Sequence, residues 1–317
     1  MDLEHGPSLD DVRQASERIE GYINRTPLLT SATMDRLAAC QIFFKCENFQ
    51  KVGAFKARGA ANAVLKLSPE QRENGVATHS SGNHAAALAR AASQAGIKSY
   101  IVMPSNAPDI KKAAVKEYGG LIIECEPNQL ARETTLAGVV KDTGAAFIPP
   151  YDHWDVIEGQ ATCALEMWSE GIHFDAIIAP VGGGGLLSGT ALITHYLSPN
   201  TPVYAGEPAG ADDAYRSFKA KNLLPGTDPR SIADGLLTSL GRRNYQLIME
   251  HVAEIFTVSE EQIISAMRMI FERMKIVIEP SSAVPLAAVI ANREVFKGKK
   301  VGLILSGGNV DLNKLPF

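Results

Sequence analysis

Lys56 stands in the segment Gly53-Ala54-Phe55-Lys56-Ala57-Arg58-Gly59-Ala60. A lysine behind a phenylalanine and ahead of small residues reads as the start of a close-packed helix, where a long solvated ammonium is out of place. Such an amine either reaches back to water, as most lysines do, or is desolvated and reactive. The reactive reading needs partners elsewhere in the chain, and three stretches offer them. Gly182-Gly183-Gly184-Gly185 lies between an apolar strand pattern and a helix pattern. Free amides at a helix N-terminus, with no Cβ in the way, form an anion cradle whose natural guest is a phosphate. The run lacks the third glycine of a dinucleotide fingerprint and the lysine of a Walker loop, Gly189 being followed by Thr190. A tight packing turn is the alternative, entropically expensive for four glycines. Ser80-Ser81-Gly82-Asn83-His84 also follows a strand and opens a helix. There Asn83 is either a helix cap or, with the two hydroxyls, a seat for a carboxylate and a phenolic oxygen. His84 is a donor in that seat or a histidine of the capped turn. Ser306-Gly307-Gly308-Asn309 ends the last strand, and open α/β sheets collect ligands at the carboxyl ends of their strands. Glu207-x-x-x-Ala211-x-Asp213 offers two carboxylates and a backbone carbonyl, an oxygen-only set that suits Mg²⁺, Ca²⁺ or Mn²⁺ rather than zinc. A solvated acidic loop is the bland alternative.

These groups need a scaffold, and the apolar pattern supplies one. Strand patterns at Gln41–Lys45, Val76–His79, Ser99–Met103, Leu121–Cys125, Ala146–Ile148, Asp175–Val181, Pro202–Gly206 and Lys300–Leu305 alternate with helix patterns at 83–95, 109–118, 129–141, 158–170 and 186–196. Strand–helix alternation means parallel sheets with helical crossovers, an α/β fold. Capping boxes are expected at Ser8–Asp11 and Ser259–Gln262. The stretch 222–234, rich in Pro, Gly and Asp, is too long for a mere connection and reads as a lid or binding loop. At 317 residues the chain exceeds one small core and calls for two lobes. A net charge of −4 without a long basic run argues against a nucleic-acid partner. Met1-Asp2-Leu3-Glu4-His5 lacks the pattern of a signal peptide, and no apolar run suffices to span a bilayer. Cys40, Cys46, Cys125 and Cys163 are scattered, as reduced packing thiols of a cytoplasmic protein are.

Phe55-Lys56-x-Arg58-Gly59-Ala60, Ser80-Ser81-Gly82-Asn83-His84, Gly182 to Leu186, Glu279-Pro280 and Ser306-Gly307-Gly308-Asn309 together resemble, in order and spacing, the fold-type II pyridoxal-phosphate enzymes. Within these the chain is most similar to serine racemases and short serine/threonine dehydratases. The resemblance implies a two-lobed, tryptophan synthase β-like α/β fold, with residues 1–74 and 153–317 forming the large cofactor-binding lobe and 75–152 the small one. It implies that Lys56 holds pyridoxal 5'-phosphate as a Schiff base beside Phe55. It also implies that Asn83 bonds the cofactor's 3-hydroxyl, that Gly182, Gly183, Gly184, Gly185 and the Leu186 amide hold its phosphate, and that Ser306 faces its pyridine nitrogen. A serine there leaves the ring unprotonated, a weaker electron sink that favours loss of a β-substituent over transamination. Ser80, Ser81, Asn83, His84 and Arg132 fall at substrate positions, Arg132 otherwise being an ordinary exposed helix arginine. Ser81 matches the second acid/base of the racemases, or else only binds the substrate carboxylate. Glu207, Ala211 and Asp213 match the family's cation site.

The expected activity is elimination of water from L-serine or L-threonine, giving a 2-oxo acid and ammonia, with serine racemase activity and a homodimeric state. An L-threo-3-hydroxyaspartate dehydratase is the near alternative, favoured by any extra basic residue in the cleft. A nucleotide-binding or non-catalytic α/β protein is the remote one. Ala54, where a serine is common, and Ala85-Ala86, where Gly-Gln is usual, alter the shape of the substrate pocket.

Overall fold

A computed structural model describes residues 6–317, so the expectation about Met1–His5 lies outside the described residues. Its strands, in chain order, are β1 (Leu28–Leu29), β2 (Gln41–Cys46), β3 (Val76–His79), β4 (Ser99–Pro104), β5 (Leu121–Cys125), β6 (Ala146–Phe147), β7 (Ala176–Pro180), β8 (Val203–Pro208), β9 (Val252–Val258) and β10 (Lys300–Leu305). They form a six-stranded sheet ordered β1-β2-β10-β7-β8-β9 and a four-stranded sheet ordered β5-β4-β3-β6. Every pairing is parallel except β1 with β2 at one edge. Helices cover both faces of the large sheet, so its central strand β7 is buried throughout, as a parallel strand must be.

The helix Lys56–Leu65 joins the two sheets' surroundings. Its Ala60 and Val64 pack with Ile19, Val156, Leu88 and Ile101 in one apolar cluster that covers a face of the small sheet. On its other side it approaches the helix Trp154–Ser169 so closely that a Cβ on Gly59 would sit 2.7 Å from the Val156 carbonyl oxygen. That contact requires glycine. Beside it lies a buried ionic knot. The Arg58 guanidinium donates from Nε to Glu47 (2.7 Å) and from Nη1 to Glu166 (2.7 Å), and Lys45 Nζ reaches Glu166 at 2.5 Å. Glu47 and Arg58 are fully buried.

Both expected capping boxes form, Ser8 with Asp11 and Ser259 with Gln262. Among the elements that do not follow from the sequence pattern are the helices Asp213–Ala220 and Arg242–His251, and β9. The second helix runs straight into β9 at His251–Val252 with no glycine or proline to punctuate the change, so the usual boundary signal is missing. Among the described residues no helix is long and apolar enough to cross a membrane.

Candidate active site

Lys56 owes its position to the loop after β10. Phe55 N–H donates to the Ser306 carbonyl (3.0 Å), Gly308 N–H donates to the Gly53 carbonyl (2.8 Å), and Ala54 pairs with Gly307 as an isolated bridge. The start of the lysine's helix is thereby stitched to Ser306. Lys56 Nζ donates to the Pro150 carbonyl at 2.6 Å and lies 5.1 Å from the Phe55 ring centre and 5.9 Å from that of Tyr151. Lys56 is half-buried in the cleft wall, crowded by protein atoms. Burial pulls its pKa down to about 8, against the opposing pull of Glu279. No carboxylate lies within ion-pair distance of it among the described residues.

The glycine run connects the end of β7 to the helix Gly185–Leu197, with Gly184 as N-cap at φ +94°. Side chains are barred from this loop on several sides. A Cβ on Gly182 would lie 2.8 Å from Leu236 Cα, and one on Gly183 would strike the Tyr151 ring. The outer side of the loop is pinned, since Gly183 O accepts from Asn244 Nδ2 (2.8 Å) and from Gly241 N–H (3.1 Å). The first-turn amides of the helix have no acceptor within it. An anion therefore fits here on geometry.

Asn83 is not the cap of its helix. Gly82 holds that position, and Asn83 begins the helix Asn83–Gln94 with its side chain turned into the cleft. There its Nδ2 donates to Glu279 Oε2 (3.0 Å) and its Oδ1 accepts from Asn309 Nδ2 (2.9 Å). Glu279 is buried, and burial raises its pKa to about 7 in spite of the Asn83 hydrogen bond. The expectation of His84 as a donor in the cleft is corrected. Its Nε2 lies 3.0 Å from the Ile148 carbonyl, which can only accept, so the ring proton sits there and Nδ1 is left as an acceptor. Nδ1 is buried without a partner. Burial, reinforced by Lys56, lowers the His84 pKa to about 3, so the ring is neutral at physiological pH. At Ser306 the hydroxyl arithmetic is also decisive. Ser282 Oγ donates to Gly307 O (2.6 Å), which commits its one proton, so in its 3.1 Å contact with Ser306 it can only accept. Ser306 is left as the donor of the pair, and because Ser282 Oγ also accepts from Gly307 N–H (2.7 Å), Ser306 can turn that one proton to a ligand in the cleft without orphaning Ser282.

One cleft of about 650 Å³ unites these groups. It is lined by Phe55, Lys56, residues 80–84, Gly182–Gly185, Leu186 and Ser306, with Arg132 on the wall supplied by the small sheet's helices. Arg132 is half-buried rather than an exposed helix arginine. Glu207, near the end of β8, and Ala211 and Asp213 just after it stand apart from this cleft. Glu207 accepts from Ala214 and Tyr215 N–H (2.9 and 2.7 Å), and Asp213 from Leu240 N–H (2.8 Å). Burial raises both carboxyls, Glu207 to about 8. Among the described residues no three His, Cys, Asp or Glu side chains cluster as a metal site. Sequence reasoning missed the Pro150 carbonyl, Tyr151, and the ion pair of Lys111 with Asp234 in the cleft wall. Pro149-Pro150 signals only the end of a strand, and nothing local marks a carbonyl as a lysine's partner. The 222–234 stretch touches the cleft only at its last residue, Asp234.

The family model "Pyridoxal-phosphate dependent enzyme" matches residues 19–307. The chain is 51% identical over 311 residues to the beta-hydroxyaspartate dehydratase of Paracoccus denitrificans (strain Pd 1222), covering 98% of this chain and 99% of that protein. Among solved structures, the serine racemase of Dictyostelium discoideum superposes with a TM-score of 0.93 at 45% identity, covering 96% of this chain and 99% of that one. The threonine deaminase of T.th. does so with a TM-score of 0.92 at 43% identity, with the same coverage. A desolvated lysine, an amide cradle and a hydroxyl donor in one cleft, on a scaffold shared nearly end to end with these proteins, place the chain in the pyridoxal-phosphate-dependent enzyme family, fold type II.

Proposed function

We propose that this chain eliminates water from β-hydroxy-α-amino acids, L-serine and L-threonine, releasing a 2-oxo acid and ammonia, and that it also racemises serine. The observation that carries this reading is the Lys56 amine, stripped of water and of any carboxylate partner, in the same cleft as the glycine-run amides. In this reading Lys56 and Phe55 hold the cofactor's aldehyde end and ring, Asn83 its phenolic oxygen, Gly182–Gly185 with the Leu186 amide its phosphate, and Ser306 its ring nitrogen. Bound pyridoxal phosphate supplies the sink for the charge left at Cα.

The rest of the chemistry belongs to the chain's own side chains. Lys56, as free base, takes the α-proton, and the ammonium so formed gives a proton to the departing β-hydroxyl, which leaves as water. Pro150 O holds the lysine nitrogen during this exchange. Ser80, Ser81, Asn83 and the neutral His84 orient the substrate, whose carboxylate the amides opening the helix Asn83–Gln94 and Arg132 attract. Racemisation needs a second proton carrier on the other face of Cα, and we assign it to Ser81. Glu207 and Asp213 carboxylates with the Ala211 carbonyl are assigned to a divalent cation (Mg²⁺, Ca²⁺ or Mn²⁺). Two neighbouring carboxyls whose pKa values are raised by burial support that assignment. We further read 75–152 as the small lobe, residues 1–74 with 153–317 as the large one, the working form as a cytoplasmic homodimer, and the partners as small amino acids.

A second reading, dehydration of 3-hydroxyaspartate, is favoured by Arg132, which makes no ion pair among the described residues and whose buried Nε has no hydrogen-bond partner. Pyruvate release from L-serine, chiral analysis of the remaining serine, and relative rates on serine and 3-hydroxyaspartate test these readings. Lys56→Ala is expected to abolish turnover, and Ser81→Ala to remove racemisation while sparing much of the elimination. Turnover that survives Lys56→Ala would refute the proposal.

A further inference from the structure

The cleft wall contributed by the small sheet and its helices carries four side chains of basic type, His79, Lys111, Arg132 and His84, the last already neutral. Only Lys111 meets a carboxylate. Its Nζ lies 2.6 Å from Asp234 Oδ2, a residue 123 positions further along on the opposite wall, and both side chains line the cleft. Burial keeps the His79 pKa below its ordinary value, so this ring adds no charge near neutral pH. Arg132 and Lys111 then contribute two positive charges and Asp234 one negative charge, a net of +1. That balance matches one substrate carboxylate. Without the Asp234 charge the remaining two groups would stand at +2 and match two.

We infer that Asp234 sets the charge preference of the substrate site, holding Lys111 back from a second substrate carboxylate and thereby favouring monocarboxylic over dicarboxylic hydroxyamino acids. The inference rests on the proposed function and goes beyond it by naming the residue that chooses between its two readings. The pair is partly exposed, at 34% and 53%, so its influence is screened and moderate rather than absolute.

The test compares kcat/KM for 3-hydroxyaspartate with that for L-serine in the holoenzyme. Asp234→Asn is expected to raise the ratio roughly three- to tenfold, and Lys111→Met to lower it by a similar factor, both shifts shrinking in high salt. Asp228→Asn, which breaks the exposed Arg230 pair outside the cleft (2.6 Å), serves as control and leaves the ratio where it was. Binding of malonate relative to acetate, measured by calorimetry on the same holo proteins, reads the same preference without turnover. If neither amino acid is consumed but Asp234→Asn still tightens malonate selectively, the proposed reaction fails and the charge selector stands. An unmoved or lowered ratio in Asp234→Asn, in turnover and in binding alike, overturns the selector.

Discussion

Lys56 and Arg58 are two residues apart on one helix, both cationic by type, and the fold treats them in opposite ways. Arg58 points into the protein, out of reach of solvent, where two carboxylates and a threonine hydroxyl surround it. Burial alone would disfavour its charge, but Glu47 and Glu166 outweigh that effect and hold its pKa well above the ordinary value. Lys56 faces the cleft and meets a neutral carbonyl instead, so burial outweighs the pull of Glu279, which makes no ion pair with it, and its amine becomes easy to deprotonate. A guanidinium cannot act as a base near neutral pH, and its planar fork suits two carboxylates at once. The lysine can shed its proton and attack an aldehyde. The difference teaches that this molecule makes a reactive cation by withholding the partners it gives freely to a neighbouring one.

That contrast can be broken from either side. The largest stability change is expected for Arg58→Met, which leaves Glu47 buried without an ion-pair partner and Glu166 with Lys45 alone, and should cost about 3–5 kcal/mol in denaturant unfolding. On the cleft side, Gly183→Ala forces a methyl against the Tyr151 ring. Displacing the ring or the loop should weaken pyridoxal phosphate binding roughly ten- to hundredfold, about 1.4–2.8 kcal/mol, measured by equilibrium dialysis or fluorescence titration. The smallest stability change is expected for Lys56→Met, which removes a desolvated amine that makes no ion pair among the described residues. Its unfolding free energy should move by no more than about 1 kcal/mol, although turnover disappears. A fold as damaged by Lys56→Met as by Arg58→Met would erase the distinction.

The sequence exposes one half of this arrangement better than the other. The glycine run, the Ser80–His84 turn and Ser306 are legible because each sits where a strand ends, and strand ends are marked by composition a few residues long. The α/β alternation is legible for the same reason. Arg58 shows no such mark, because its carboxylates lie 11 and 108 positions away and only folding unites them. The neutral state of His84 depends on the Ile148 carbonyl, 64 positions distant. Asn83 reads equally as a helix cap or as part of a ligand seat, and the cap falls to Gly82, which frees the amide for Glu279 and Asn309. Local pattern thus reveals which backbone is left open, while charge compensation is a property of distant neighbours.

The lowered pKa of Lys56 is the claim on which the chemistry depends, and cofactor capture measures it directly. Protein freed of cofactor is mixed with pyridoxal phosphate, and the visible band of the lysine-bound form is followed in time from pH 6 to 10, with N-acetyl-lysine amide as reference. Only the free base attacks, so the capture rate should rise with pH as the ammonium is lost, with a midpoint near the value of about 8 set by burial. A midpoint that tracks the reference amine near pH 10.4, or borohydride-fixed label on a lysine other than Lys56, would contradict the account.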